Sequence, residues 1–137
     1  MTPIEIEVGQ VVHRYWNAID SSDYPTVLEL LSEEVDWRVS SNRSGRAEVA
    51  QALTQRPNDR VVRHLITNLS VNASREECEA FFLITAFAAK VQSGDTGACH
   101  VSGPAVIADV SASFMRIDGA LKIRRLVTTR VFQGTLP

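Results

Sequence analysis

His64 lies in the run Arg60-Val61-Val62-Arg63-His64-Leu65-Ile66-Thr67-Asn68, where the residue character alternates. A period of two predicts a strand with Val62, His64, Ile66 and Asn68 on one face and Leu65, Leu69 and Val71 on the other. An imidazole turned towards an interior suits general acid–base chemistry if a carboxylate meets it. Asp20, at the end of the first helical stretch, is the natural partner. It would hold one ring nitrogen as N–H and leave the other to take a proton from a carbon acid. Each residue also has a plain reading. His64 would be a hydrogen-bonded structural residue, and Asp20 a turn residue in Asp20-Ser21-Ser22-Asp23. Asp23 fits the capping duty better because it directly precedes the second helix, which leaves Asp20 without a local task.

Other side chains extend the constellation. Tyr15 and Trp16 stand one helical turn before Ile19 and Asp20. Core packing accounts for Trp16, whereas Tyr15 either packs or sends its hydroxyl into a cavity. Asn68 would orient a substrate carbonyl or complete backbone hydrogen bonding. Trp37, Phe82 and Phe114 are either walls of an aromatic pocket or core. Arg125 alternates with Leu121, Ile123 and Val127, which points it inward and demands an anionic partner. That partner is a ligand or Asp109, which also lies within reach of Arg124 across the same strand pair.

Gly-rich phosphate loops, Gly-x-Ser-x-Gly and His/Cys clusters at metal spacing are missing from the chain. His13 and His100 are isolated. Neither a metal nor a cofactor is therefore expected.

The elements that must position these residues follow from length and pattern. The chain has 137 residues, of which 45% are apolar, enough for one domain over residues 1–137 with its own core. Its formal charge of −2 and dispersed arginines argue against nucleic acid or an anionic membrane as partner. No run approaches the roughly 20 apolar residues of a membrane span. The beginning Met-Thr-Pro-Ile-Glu lacks the pattern of a secretory signal, so a cytoplasmic location is expected. Cys78 and Cys99 form neither a disulfide framework nor a zinc motif.

Ile4, Val8, Val11, Val12, Tyr15, Trp16 and Ile19 recur at three- and four-residue spacing, which predicts a helix over about 4–19. A second helix carries Val27, Leu28, Leu30 and Leu31 and is expected to end near Glu33-Glu34. Val35 to Val39 reads as a short strand, Ser40 to Gly45 as a loop, and Arg46 to Gln55 as a helix stopped by Pro57. Beyond Pro57 the period changes to two. Strands are expected at about 60–73, 77–92, 104–117 and 121–132, with a tight hairpin at Asp118-Gly119. Gln92 to Gly103 is expected as a long, mobile Gly-rich loop. Helices followed by a meander make an α+β fold. Three N-terminal helices would pack in the concavity of a curved, mostly antiparallel sheet, a cone-shaped α+β barrel.

This order resembles the nuclear transport factor 2-like superfamily and, within it, the SnoaL-like branch. The resemblance rests on Tyr15-Trp16-Asn17-Ala18-Ile19-Asp20-Ser21-Ser22-Asp23-Tyr24, Leu28 to Trp37, Arg63-His64-Leu65-Ile66-Thr67-Asn68 and Asp118 to Arg125. It implies a small, cofactor-independent enzyme acting on a hydrophobic cyclic molecule by elimination or isomerisation. Scytalone dehydratase, bile-acid dehydratases and hexachlorocyclohexane dehydrochlorinase keep an Asp and a His at the places of Asp20 and His64. There the pair removes a substrate proton. A Tyr at the place of Tyr15 in bile-acid dehydratases makes Tyr15 the candidate acid, and Tyr24 joins Trp37, Asn68, Phe82, Phe114 and Arg125 as candidate substrate-binding residues.

The same branch points also to a non-catalytic binding module, or to the β subunits of ring-hydroxylating dioxygenases, which share the Arg-His-Leu-x-x-Asn string. Under either reading a homodimer through the outer sheet face is expected. Trp37 departs from the dehydratases, which carry a Tyr there, and Ala108 and Val110 replace polar strand residues, so scytalone itself is a poor fit as substrate.

Overall fold

The computed structural model describes residues 1–74, 77–91 and 97–134. Helix α1 spans Pro3–Asp20. Thr2 and Glu5 form a reciprocal capping box at its start, with Pro3 in the first turn. Ser22, at φ 56°, breaks the chain out of the helix, and Asp23 caps α2 (Tyr24–Glu29) through the backbone and hydroxyl of Thr26. The expected extension of α2 to Glu34 does not occur. Leu30 and Leu31 are both buried, and the carbonyl of Leu30 accepts from the backbone N–H of Ile123 at 2.9 Å. Sheet pairing thus claims these residues, and β1 runs over Leu31–Arg38. A short β2 (Asn42–Ser44) occupies the expected loop, and α3 spans Arg46–Thr54.

Four long strands follow: β3 (Arg60–Ala73), β4 (Cys78–Lys90), β5 (Val106–Ile117) and β6 (Ala120–Gln133). Asp118 and Gly119, at φ 50° and 82°, close the β5–β6 hairpin as a two-residue turn whose twist matches the strands. Of the expected loop between β4 and β5, residues 92–96 lie outside the described residues.

The six strands form one sheet in the order β2-β1-β6-β5-β4-β3, antiparallel except for β1 beside β6. β2 and β3 are its free edges, so the curved sheet stays open instead of closing into a barrel. The inner face presents Ala80, Phe82, Ile84, Ala108, Val110, Ala112 and Phe114 to Val8, Val11, Val12, Tyr15, Trp16 and Ile19 of α1. Arg116 of β5 grips both carboxylate oxygens of Glu7, at 2.7 and 3.0 Å, and ties the first turns of α1 to the sheet. Among the described residues no helix is long and apolar enough to cross a membrane, and both cysteines are free.

Bulges in β3 and β6 alter which of the candidate residues face inward. In β3, Thr67 pairs with Leu83 but Ser70 with Phe81, so Asn68 and Leu69 together oppose Phe82. Asn68 takes φ 58°, a left-handed conformation that asparagine tolerates. The slip turns Leu69 and Val71 in against the core and leaves Asn68 exposed on the outer face, reversing the expectation for all three. In β6, Ile123 pairs with Phe114 but Arg125 with Ser113, so Arg124 is the extra residue. Arg125 consequently points outward, half exposed, with its Nε 3.2 Å from Asp36. Neither the inward arginine nor the Asp109–Arg125 or Asp109–Arg124 pair forms. Asp109 lies opposite Thr129 on the outer face.

Candidate active site

Asp20 is the last residue of α1, and His64 lies on the inner face of the edge strand β3. An edge strand leaves alternate backbone N–H groups without a strand partner. The Asp20 carboxylate takes the one at His64: Oδ2 accepts from the His64 backbone N–H at 2.8 Å. Its Oδ1 lies 2.5 Å from Nδ1 of the same residue. One carboxylate therefore clamps main chain and ring together, which fixes the ring's position as well as its tautomer. A carboxylate only accepts, so Nδ1 is the donor in this pair and Nε2 is the ring nitrogen left uncommitted. Both side chains are nearly buried, with 10% of the His64 and 9% of the Asp20 side chain exposed.

Trp16 completes this corner. It precedes Asp20 by four residues, hence shares its helix face, and its ring centroid is 4.7 Å from that of His64 at a 40° tilt. The expected packing role for Trp16 is real, since it is 3% exposed, but its neighbour is the imidazole. The i, i+4 spacing to Asp20 was the signal for this contact.

Tyr15 reaches Trp37 of β1. It is 1% exposed and meets Trp16 edge-on at 4.9 Å. Its hydroxyl accepts a hydrogen bond of 2.9 Å from the indole Nε1 of Trp37. Burial pushes the phenol well above the usual tyrosine range, so it is neutral at any working pH; the Trp37 hydrogen bond and the positive charge of Arg56 oppose that rise. Arg56, just past α3, has no local sequence signal that sets it apart from the other dispersed arginines. Its neighbourhood to Tyr15 is a product of tertiary structure. Trp37, Tyr15, Trp16, His64 and Asp20 thus form a continuous buried row.

The remaining candidates are dispersed. Ala86 pairs with His64; Phe82 lies four residues along β4, about 13 Å away at the usual strand rise. Phe114 pairs with Cys78, eight residues along, about 26 Å away. Both are core residues, 4% exposed. Tyr24 is half-buried and packs against the core from α2. Asn68 and Arg125 belong to the outer face. Asn68 lines a groove of about 380 Å³ there with Phe81, Leu83, Asp109, Ser111 and Thr129. A second, mostly apolar groove of about 430 Å³ runs between α1 and Leu69, and His13 lines it. Among the described residues no group of three or more His, Cys, Asp or Glu is placed to hold a metal ion.

The comparisons with known proteins agree with the fold. A family model described as the SnoaL-like domain matches residues 4–127. A search of curated proteins returned no match. Among solved structures, a protein from Catenulispora acidiphila in complex with S-DNPA superposes with TM-score 0.75 at 17% identity, covering 93% of this chain and 92% of that one. A protein from Novosphingobium aromaticivorans, named provisionally as a scytalone dehydratase, gives TM-score 0.76 at 13% identity over 93% and 84% of the two chains. A hexachlorocyclohexane dehydrochlorinase gives 0.77 at 11% identity over 96% and 88%. At such identities the likeness is one of fold.

Proposed function

The chain belongs to the SnoaL-like domain family, and we propose that it is a small enzyme that removes a proton from carbon in a hydrophobic cyclic molecule. The observation that carries this reading is the double grip of Asp20 on His64, which leaves Nε2 as the free basic atom. Nε2 takes a proton from a carbon next to a carbonyl or similar electron-withdrawing group. The released electron pair either expels a leaving group from the adjacent carbon, an elimination, or returns as a C–H bond elsewhere, an isomerisation. Tyr15, a neutral phenol, supplies a hydrogen bond or proton to the substrate oxygen. His64 and Asp20 need no cofactor for such a step. The structural neighbours named as a dehydratase and a dehydrochlorinase are consistent with it.

Proton removal can be followed without knowing the natural substrate. Cyclic ketones such as 2-tetralone, dissolved in deuterium oxide, exchange their α-hydrogens at a rate read by NMR. The protein should accelerate this exchange, and His64→Ala should abolish the acceleration while circular dichroism stays native. Equal exchange by the two proteins across a panel of cyclic ketones would defeat the base assignment.

The outer sheet face favours a second reading for its own surface. Leu65, Phe81 and Phe132 stand out there, 48%, 47% and 66% exposed. Leu65 pairs with Thr85, Thr85 with Ile107, and Ile107 with Phe132, so a row of three apolar side chains and one threonine crosses four strands. We propose that a second copy of the chain covers this face. Sedimentation should show a dimer that Phe132→Glu dissociates; a wild-type monomer at high micromolar concentration would reject it. Capture of a larger oxygenase chain on the same face would instead point to a subunit role.

A further inference from the structure

A polar atom buried deep in the core without a full set of partners marks a place where the fold was not built for stability alone. The Tyr15 hydroxyl is such an atom. An indole N–H can only donate, so in the 2.9 Å bond with Trp37 the phenol oxygen must be the acceptor. That leaves the hydroxyl hydrogen to be accounted for. Among the described residues, none accepts it. Tyr15 is 1% exposed and Trp37 3%, so bulk water does not satisfy it by default.

Trp37 itself is firmly held. It sits in β1 between two neighbouring strands, paired with Arg43 of β2 on one side and Leu126 of β6 on the other. An indole fixed in this way is a directional donor. With one lone pair of the phenol oxygen occupied by the indole, the C–O–H angle restricts the hydroxyl hydrogen to directions away from Trp37. The positive charge of Arg56 acts on the same oxygen. It favours any build-up of negative charge there or on an atom hydrogen-bonded to it.

We propose that Trp37 is a positioning residue: its indole N–H orients the Tyr15 hydroxyl as a donor for a substrate oxygen. The proposal rests on the proton-abstraction reading above. It assigns Trp37 a task different from the substrate contact expected for it. The substrate class it selects carries a carbonyl or enolate oxygen next to the carbon that loses its proton. His64 takes the proton on one side of Trp16 and Tyr15 stabilises the oxygen on the other, so a bound ketone becomes an enolate hydrogen-bonded to a phenol.

The test replaces Trp37 by benzothienylalanine, which keeps the ring shape and deletes only the N–H; Trp37→Phe serves as an encoded second variant. Each is made alone and with Tyr15→Phe, and α-hydrogen exchange of 2-tetralone is measured on all of them. Benzothienylalanine should lower kcat by roughly tenfold with KM within about twofold, the pattern of lost transition-state stabilisation. In the Tyr15→Phe background the same change should cost nothing further. Equal loss in both backgrounds overturns the proposal.

A second readout is independent of turnover. Tyrosine labelled with ¹³C at Cζ gives only two signals, from Tyr15 and Tyr24. The Tyr15 signal should move when the indole N–H is removed, and that of Tyr24 should not. An unmoved Tyr15 signal overturns the proposal whatever the kinetics. If the wild-type protein exchanges no faster than His64→Ala, the base assignment has failed instead, and the Tyr15 signal alone decides whether Trp37 orients the hydroxyl.

Discussion

Replacing Asp20 by Asn changes little in shape, yet the geometry predicts a large and specific loss. Asp20 uses one oxygen for the His64 backbone N–H and the other for Nδ1, at 2.8 and 2.5 Å. Asparagine has one oxygen and one NH₂. If the oxygen keeps the backbone N–H, the NH₂ faces Nδ1 and donates to it. The imidazole must then carry its hydrogen on Nε2, the atom proposed as the base. A misassigned tautomer removes general-base catalysis, about 100- to 10,000-fold in rate. Stability changes far less, because both hydrogen bonds are re-formed in neutral form at a cost of about 1–2 kcal/mol.

Asp20→Ala provides the contrast. It leaves two nearly buried donors without an acceptor, about 1–3 kcal/mol each. That is a large share of the roughly 5–15 kcal/mol that holds a typical domain together. The assay pairs α-hydrogen exchange of 2-tetralone with ¹⁵N spectra of the imidazoles, a tractable measurement because the chain has three histidines. Asp20→Asn should show His64 with its hydrogen on Nε2 and exchange near that of His64→Ala. A variant that retains the Nδ1–H form, or keeps exchange within about threefold of wild type against the losses expected for a missing base, would refute the reasoning.

Other outcomes follow from the same structure. Asn68→Val should lower stability by about 1–2 kcal/mol because a β-branched residue resists φ 58°, whereas Asn68→Gly should be tolerated. Denaturant titration measures both, and exchange activity per folded molecule should be unchanged, since Asn68 faces outward. Gly119→Ala, at φ 82° with nothing crowding its Cβ, should cost about 1 kcal/mol through backbone conformation alone. Glu7→Gln should lower the melting temperature slightly at neutral pH. Hydrogen bonding to Arg116, with its charge, holds the Glu7 carboxyl below the usual range, so its contribution is present above the unfolded-state value and fades as pH falls through the folded one. Wild type and variant should therefore converge in acid; a gap that widens there would contradict the sign.

Periodicity was enough for most of the architecture because its causes are local. Apolar spacing along α1 gave its extent to within a residue or two, and alternation after Pro57 located four strands to a similar margin. Asp118-Gly119 announced its own turn. The same locality explains α2: Leu30 and Leu31 satisfy helix and strand patterns alike, and only pairing with Ile123 of β6 settled the choice.

His64 and Asp20 were visible in the chain because a titratable ring among alternating apolar residues and a carboxylate with no capping duty are local anomalies. Their union was an expectation until the fold brought them together across 44 positions. Tertiary structure alone decided the rest. Alternation presumes an unbroken ladder, and the extra residues at Asn68 and Arg124 shift it by one. Each such slip reverses every side chain beyond it, which is why Leu69 and Val71 turned inward and Arg125 outward. The bond from Trp37 to Tyr15 likewise joins α1 to β1 across 22 positions, a contact between distant segments that no local pattern encodes.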